Sequence, residues 1–213
     1  MRVFVAMLIC SVVPGWAAAQ VTPTLPKNDA RVSIGWSGAD HQHAEDGRWF
    51  GSLLASANAG HYWTDHWKTE VEAAWSSPGT REVYENIERD ANYTYAIANY
   101  KADDVRIGVA QLYQFGRNQW VHPYIGIGAD IVRRHVAVDR PAQVRTVYVQ
   151  GGTIPVQIPA SSERRTSVVA QAVLKTGLKM YVSEKTFFNT ELKFGVRDEV
   201  DHVVWTIGLG RNF

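Results

Sequence analysis

The sequence predicts an all-β fold: an eight-stranded antiparallel up-and-down transmembrane β-barrel preceded by a cleavable signal peptide. Three observations carry this expectation. The last stretch, Val203 to Phe213, alternates almost strictly. Val203, Trp205, Ile207, Leu209 and Phe213 share one face, broken only by Arg211, while Val204, Thr206, Gly208, Gly210 and Asn212 share the other. One apolar face backed by one small, polar face suits a strand between lipid and a barrel interior, and a soluble edge strand would rarely expose such a row. Second, the amino terminus encodes export, yet no later segment is a long uninterrupted apolar run, so any membrane span must be built from strands. Third, short connections flanked by aromatic residues alternate with longer polar ones, the pattern expected of tight periplasmic turns, outer loops and aromatic girdles.

Arg2 precedes the apolar run Val3 to Val13, a Pro14-Gly15 break and Ala17-Ala18-Ala19, which together read as a secretory signal cut after Ala19. Cys10, the only cysteine, lies inside that signal, and Leu8 and Ile9 before it do not fit a lipoprotein site. The mature chain then has no thiol, disulfide or cysteine-metal chemistry. With 22 Lys and Arg against 21 Asp and Glu, the chain offers no basic patch of the kind nucleic-acid binding requires. The expected division is 1–19 signal peptide, 20–30 extended lead and 31–213 barrel.

The first strand has Val32, Ile34 and Trp36 opposite Ser33, Gly35 and Ser37. Asp40 to Gly47 is a polar loop, and a strand from about Trp49 to Ala59 follows, its phase obscured by adjacent Leu53 and Leu54. After the Thr64-Asp65 turn, Thr69, Val71, Ala73 and Trp75 alternate with Lys68, Glu70 and Glu72, a charged face that cannot look at lipid. Ser76 to Asp104, with a more strand-like Tyr93 to Tyr100, reads as an extended outer hairpin or loop. Ile107, Val109, Tyr113 and Phe115 then oppose Arg106, Gly108, Ala110 and Gln114; past Gly116 to Gln119, Val121, Pro123, Ile125, Ile127, Ala129 and Ile131 oppose Tyr124, Gly126, Gly128 and Asp130. Val136 to Arg165, rich in Pro and Gly, reads as a second long loop. Val168 to Met180 opposes an apolar row to Gln171, Lys175, Gly177 and Lys179, and after the Ser183 to Lys185 turn Phe188, Leu192, Phe194 and Val196 oppose Asn189, Glu191, Lys193 and Gly195. The count is about eight strands.

The run Tyr113 to Gly128, the Thr64-Asp65-His66 turn and the terminal Phe213 resemble the small bacterial outer-membrane β-barrel superfamily, which includes OmpW-like proteins and the OmpA transmembrane domain. The resemblance implies a barrel in the cell outer membrane, in contact with its lipids and lipopolysaccharide, monomeric and delivered by the barrel-assembly machinery, for which Phe213 would be the assembly signal. It carries features of strand and turn and none of chemistry.

Glu70, Glu72, Arg106, Asp130, Lys175, Lys179, Glu191 and Lys193 all enter the lumen if these phases hold. In so narrow a barrel they are expected to form a paired charge network, not a catalytic or transport site. Asp40, His41, His43, Glu45 and Asp46 could hold a divalent metal, but their spacing is generic and a solvated loop explains it equally. His61, His66 and His122 fall near the short turns, as interfacial polar residues would. No catalytic, cofactor-binding or metal-ligating residues are therefore expected. Some small barrels of this kind modify lipid A acyl chains, but the histidine followed two residues later by serine that the deacylase type resembles does not occur. A soluble secreted lipid-binding barrel would turn its apolar face inward. The expected function is a non-enzymatic barrel with a side-chain-filled lumen, acting structurally or through its outer loops, with an OmpW-like narrow channel for small apolar molecules as the alternative.

Overall fold

The computed structural model describes residues 26–40, 49–89, 92–115, 120–149, 152–197 and 200–213. The expected signal peptide, the His41 to Asp46 segment and the Gly116 to Gln119 connection lie outside them. Eight strands, β1 (Asn28–Asp40), β2 (Trp49–Tyr62), β3 (Trp67–Arg89), β4 (Asn92–Gln114), β5 (Val121–Arg140), β8 (Ser161–Tyr181), β9 (Thr186–Val196) and β10 (Val200–Asn212), close into a barrel in the order β1-β10-β9-β8-β5-β4-β3-β2. Every neighbouring pair is antiparallel. Between β5 and β8, β6 (Gln143–Val149) and β7 (Gly152–Ile158) form a separate two-stranded ribbon.

Closure depends on the β1–β10 seam, paired from Asp29↔Asn212 to Ala39↔His202. Below it, the Phe213 amide donates to the Asn28 carbonyl at 2.9 Å and the Phe213 main-chain oxygen accepts from the Asn28 amide at 3.2 Å, so the ladder runs to the last residue. A closed ladder leaves no sheet edge, the condition for placing strands in hydrocarbon. At Gly35 an added Cβ would lie 1.9 Å from the Trp205 carbonyl oxygen, so the seam can close here only over glycine. The short turns are built alike: the Thr64 hydroxyl accepts from the Trp67 amide at 3.0 Å, and the Ser183 hydroxyl from the Thr186 amide at 3.1 Å.

The barrel is apolar outside and polar inside. Val32, Ile34, Leu53, Val71, Ile107, Ile127, Ile131, Ile207 and Leu209 are exposed, whereas charged side chains such as Glu70, Arg106, Asp130, Lys175 and Lys193 are buried. This inversion of a soluble protein identifies the outer surface as the one that meets lipid. Trp63, Trp67, Trp120 and Phe213 ring one end of that surface. Trp36, Trp75 and Trp205 each lie eight residues along the strand from Asn28, Trp67 and Phe213 respectively. At the rise and tilt of barrel strands that is about 20 Å, so the two aromatic belts bracket an apolar band of membrane height.

Ser76 to Asp104, expected as an outer hairpin or loop, is a hairpin, and Val136 to Arg165, expected as a loop, is mostly strand. β3 and β4 pair continuously out to Arg89↔Asn92, with a register shift between Ser76 and Gly79 where Pro78 cannot donate to the ladder. β5 and β8 stay paired to Arg140↔Ser161; the ladder then lapses at Pro141-Ala142 and Pro159-Ala160 and resumes as β6–β7 from Gln143↔Ile158. Above the apolar band the protein therefore continues as a four-stranded wall with a kinked ribbon, in place of irregular loops. Likewise, β1 begins at Asn28, so the last residues of the expected lead belong to the barrel.

Alternation persists in that wall. Ala98, Tyr100 and Val138 are buried against Val83 and Val136 on its inner side. The Glu85 carboxylate accepts from Arg140 Nε and Nη2 at 2.6 and 2.9 Å and from the Tyr100 hydroxyl. The Arg140 bonds hold the Glu85 carboxyl below its usual range, while burial and the bond to Glu85 push the Tyr100 phenol up to about 12. This clasp ties β3, β4 and β5 together outside the membrane. One level higher, the Gln143 side-chain amide accepts from the Ile97 amide at 2.9 Å and donates to its carbonyl at 2.8 Å, taking the place of the strand that β5 no longer supplies.

Candidate functional site: the barrel interior

Strand alternation delivers the interior. Each residue that faces inward is two positions from the next, so β3 alone contributes Lys68, Glu70 and Glu72, and β9 contributes Asn189, Glu191 and Lys193. Among the described residues the buried charges are six carboxylates, Asp29, Glu70, Glu72, Asp104, Asp130 and Glu191, and six cations, Arg31, Lys68, Arg106, Lys175, Lys179 and Lys193. All eight of the lumen residues expected from sequence are in that set. Beside them stand Lys68, already on the charged face of β3 with Glu70 and Glu72, Asp104, two positions from Arg106, and Arg31 and Asp29, two and four positions before Ser33.

The lowest layer centres on Asp29, which accepts from Lys68 at 2.8 Å and from Lys179 at 2.8 Å. The Lys179 ammonium also donates to Tyr62 Oη and Asn212 Oδ1, both at 2.9 Å, and lies 3.8 Å over the Phe187 ring. In the next layer Arg31 donates to Glu70 at 3.0 Å, Glu191 at 2.5 Å and Asn189 at 2.8 Å. Lys175 lies 3.1, 2.5 and 3.5 Å from Glu70, Glu72 and Glu191. These three carboxylates are close enough to hold a metal ion, but the Lys175 ammonium already occupies the position a cation would take. Lys193 completes the chain, 2.6 Å from Glu72 and 2.9 Å from Asp130. Every charge is thus matched within hydrogen-bond reach, the condition for burying ions without a large desolvation cost.

Leu54, Ala74 and Val204 pack together inside the barrel. Separately, Arg106 grips Asp104 through Nε at 2.6 Å and Nη2 at 2.8 Å, donates from Nη2 to Ser37 Oγ at 2.7 Å, and approaches His202 Nδ1 at 3.2 Å. Ser37 Oγ and His202 Nε2 are 2.9 Å apart. No His-x-Ser spacing marks this pair, because the two residues meet across the seam and lie far apart in sequence. Its polarity is wrong for nucleophilic catalysis. A guanidinium has only donors, so Nδ1 must accept, and neutral His202 then carries its proton on Nε2 and donates it to Ser37. A general base needs that nitrogen free.

Arg31, Tyr62, Lys68, Leu112, Gln114, Tyr124, Lys179, Phe187 and Asn189 line a cavity of about one water molecule. Three of the histidines noted in the sequence have protein partners: His61 with Asn28 at 2.9 Å, His66 with the Gln114 carbonyl at 3.0 Å and His122 with the Gln114 amide at 2.9 Å.

The comparisons agree with this architecture. The family model described as outer membrane protein beta-barrel domain matches residues 3–213. Neisserial surface protein A superposes with a TM-score of 0.53 at 14% identity, covering 87% of this chain and 97% of that one. The outer membrane protein OprG of Pseudomonas aeruginosa gives 0.53 at 12% identity over 89% and 97%. The N-terminal β-barrel domain of Pseudomonas aeruginosa OprF gives 0.51 at 14% identity over 89% and 99%. No curated protein matches in sequence. Identities this low speak only for the fold, but the family match spans nearly the whole chain: it belongs to the outer membrane protein β-barrel domain family and resides in the outer membrane.

Proposed function

We propose that this is a non-enzymatic outer-membrane barrel whose interior is a closed, charge-balanced plug and whose specific work is done by the strands that stand above the membrane. The observation that carries this reading is the pairing of six buried carboxylates with six buried cations. An eight-stranded barrel is only wide enough for side chains to fill, and a network in which each buried charge meets a counter-charge is rigid. The donor set around His202 and Ser37 supports the non-enzymatic part. Purified protein in a planar bilayer should therefore give no steady currents. Single-channel openings abolished by substituting Glu70 or Lys193 would replace this reading with the narrow channel.

Phe213 has a proposed role in assembly, not in the finished barrel's chemistry. Its side chain is exposed at the end of the seam while its backbone completes the ladder with Asn28. Removing it should lower the yield of folded, heat-modifiable protein in the outer membrane and leave export to the periplasm unchanged. Normal assembly of the shortened chain would reject the role.

A further inference from the structure

We propose that the outward flank of β4, β5 and β8, directly above the apolar band, docks the phosphate-bearing headgroups of outer-leaflet lipid through Lys101, Arg133 and Arg164. The inference rests on the membrane placement and is independent of whether the lumen conducts. Three successive rungs cross this flank: Val105↔Arg133↔Val168, Asp103↔His135↔Thr166 and Lys101↔Ala137↔Arg164. Val105, Ile131 and Val168 are its last exposed apolar residues. Arg133 is one outward step above Ile131 on the same strand, so its side chain points sideways at whatever surrounds the barrel. It lies twelve residues from the start of β5 at Val121, about 30 Å up the barrel at usual rise and tilt, just beyond an apolar band of about 25 Å. That is the headgroup layer.

Arg133 and Arg164 are exposed and make no ion pair among the described residues. Lys101 approaches Asp139 only to 4.0 Å, both about half exposed, and Asp139 already accepts from Ser162 at 2.7 Å. Asp103 shares the flank, so it is not uniformly basic. On the top rung Lys101 and Arg164 flank Ala137, about 10 Å apart across two strand spacings. A shallow trough between two cations suits a headgroup carrying more than one phosphate, with its acyl chains on the apolar residues beneath. A soluble anion has no use for that apolar floor.

Native mass spectrometry of protein released from micelles tests this with lipid A, dephosphorylated lipid A and inorganic polyphosphate as probes. Wild-type protein should retain lipid A and not its dephosphorylated form. At about fivefold per surface cation, Lys101→Gln/Arg133→Gln/Arg164→Gln should weaken retention on the order of a hundredfold. Heat-modifiable mobility checks that the variant is folded; should it not be, Arg133→Gln alone should lose about fivefold. Unchanged retention by a folded variant, equal retention of the dephosphorylated lipid, or polyphosphate binding as tight as lipid A would each overturn the proposal.

Discussion

Arg31→Met should be among the most destabilising single substitutions in this barrel, costing roughly 3–5 kcal/mol, because it removes one partner of a buried network and leaves charge uncompensated. Arg31 is buried and joins β1 to β3 through Glu70 and to β9 through Glu191. Glu70 would keep Lys68 at 2.8 Å and Lys175 at 3.1 Å, but Glu191 would keep a single cation, Lys175 at 3.5 Å, beside the neutral Tyr124 hydroxyl at 2.7 Å. The excess negative charge therefore falls on Glu191. Restoring neutrality with Arg31→Met/Glu191→Gln should recover a large part of the loss. Arg165→Met, which breaks an exposed pair with Glu163, should stay within about 1 kcal/mol of wild type. Urea unfolding in detergent micelles measures all three. A normal midpoint for Arg31→Met would mean that the network does not contribute to stability as its geometry implies.

Arg31 also marks where sequence reasoning stopped. Faces were legible wherever lipid and lumen made opposite demands on alternate residues, which is why Glu70, Asp130, Lys175 and Glu191 could be assigned inward without a structure. Arg31 and Asp29 precede Val32, the first apolar residue of the alternation, so nothing marked them as strand, although they keep the phase of Ser33. Above the membrane the outer face meets water too and need no longer be apolar, so the contrast between the faces weakens in the sequence; around Glu82 and Lys101 a hairpin is then not told from a loop although β3 and β4 run through them. The register shift between Ser76 and Gly79 further breaks the phase of β3. The Ser37–His202 contact was illegible for another reason: spacing along a chain cannot reveal a pair brought together only when the first strand meets the last.

The outer face yields the other large effect, and it depends on depth. Ile207→Arg should cost roughly 2–4 kcal/mol, the penalty of a cation at the bilayer midplane. Ile207 is six residues from the carboxy terminus, about 15 Å up the barrel, close to the centre of an apolar band of about 25 Å. Its neighbours in the ladder are Ile34 on β1 and Thr190 on β9, and no acidic partner is available on that face. The same strand contains its own control. Arg211 lies on the same outward face two positions from the end, exposed beside Phe213, where its long side chain can reach the interfacial layer. An arginine at Val203, near the other margin, should likewise cost no more than about 1 kcal/mol. Reversible unfolding of Ile207→Arg, Leu209→Arg and Val203→Arg in lipid vesicles should give a profile that peaks at the two central positions. A flat profile would contradict the orientation of β10, and with it the assignment of the outer surface to lipid.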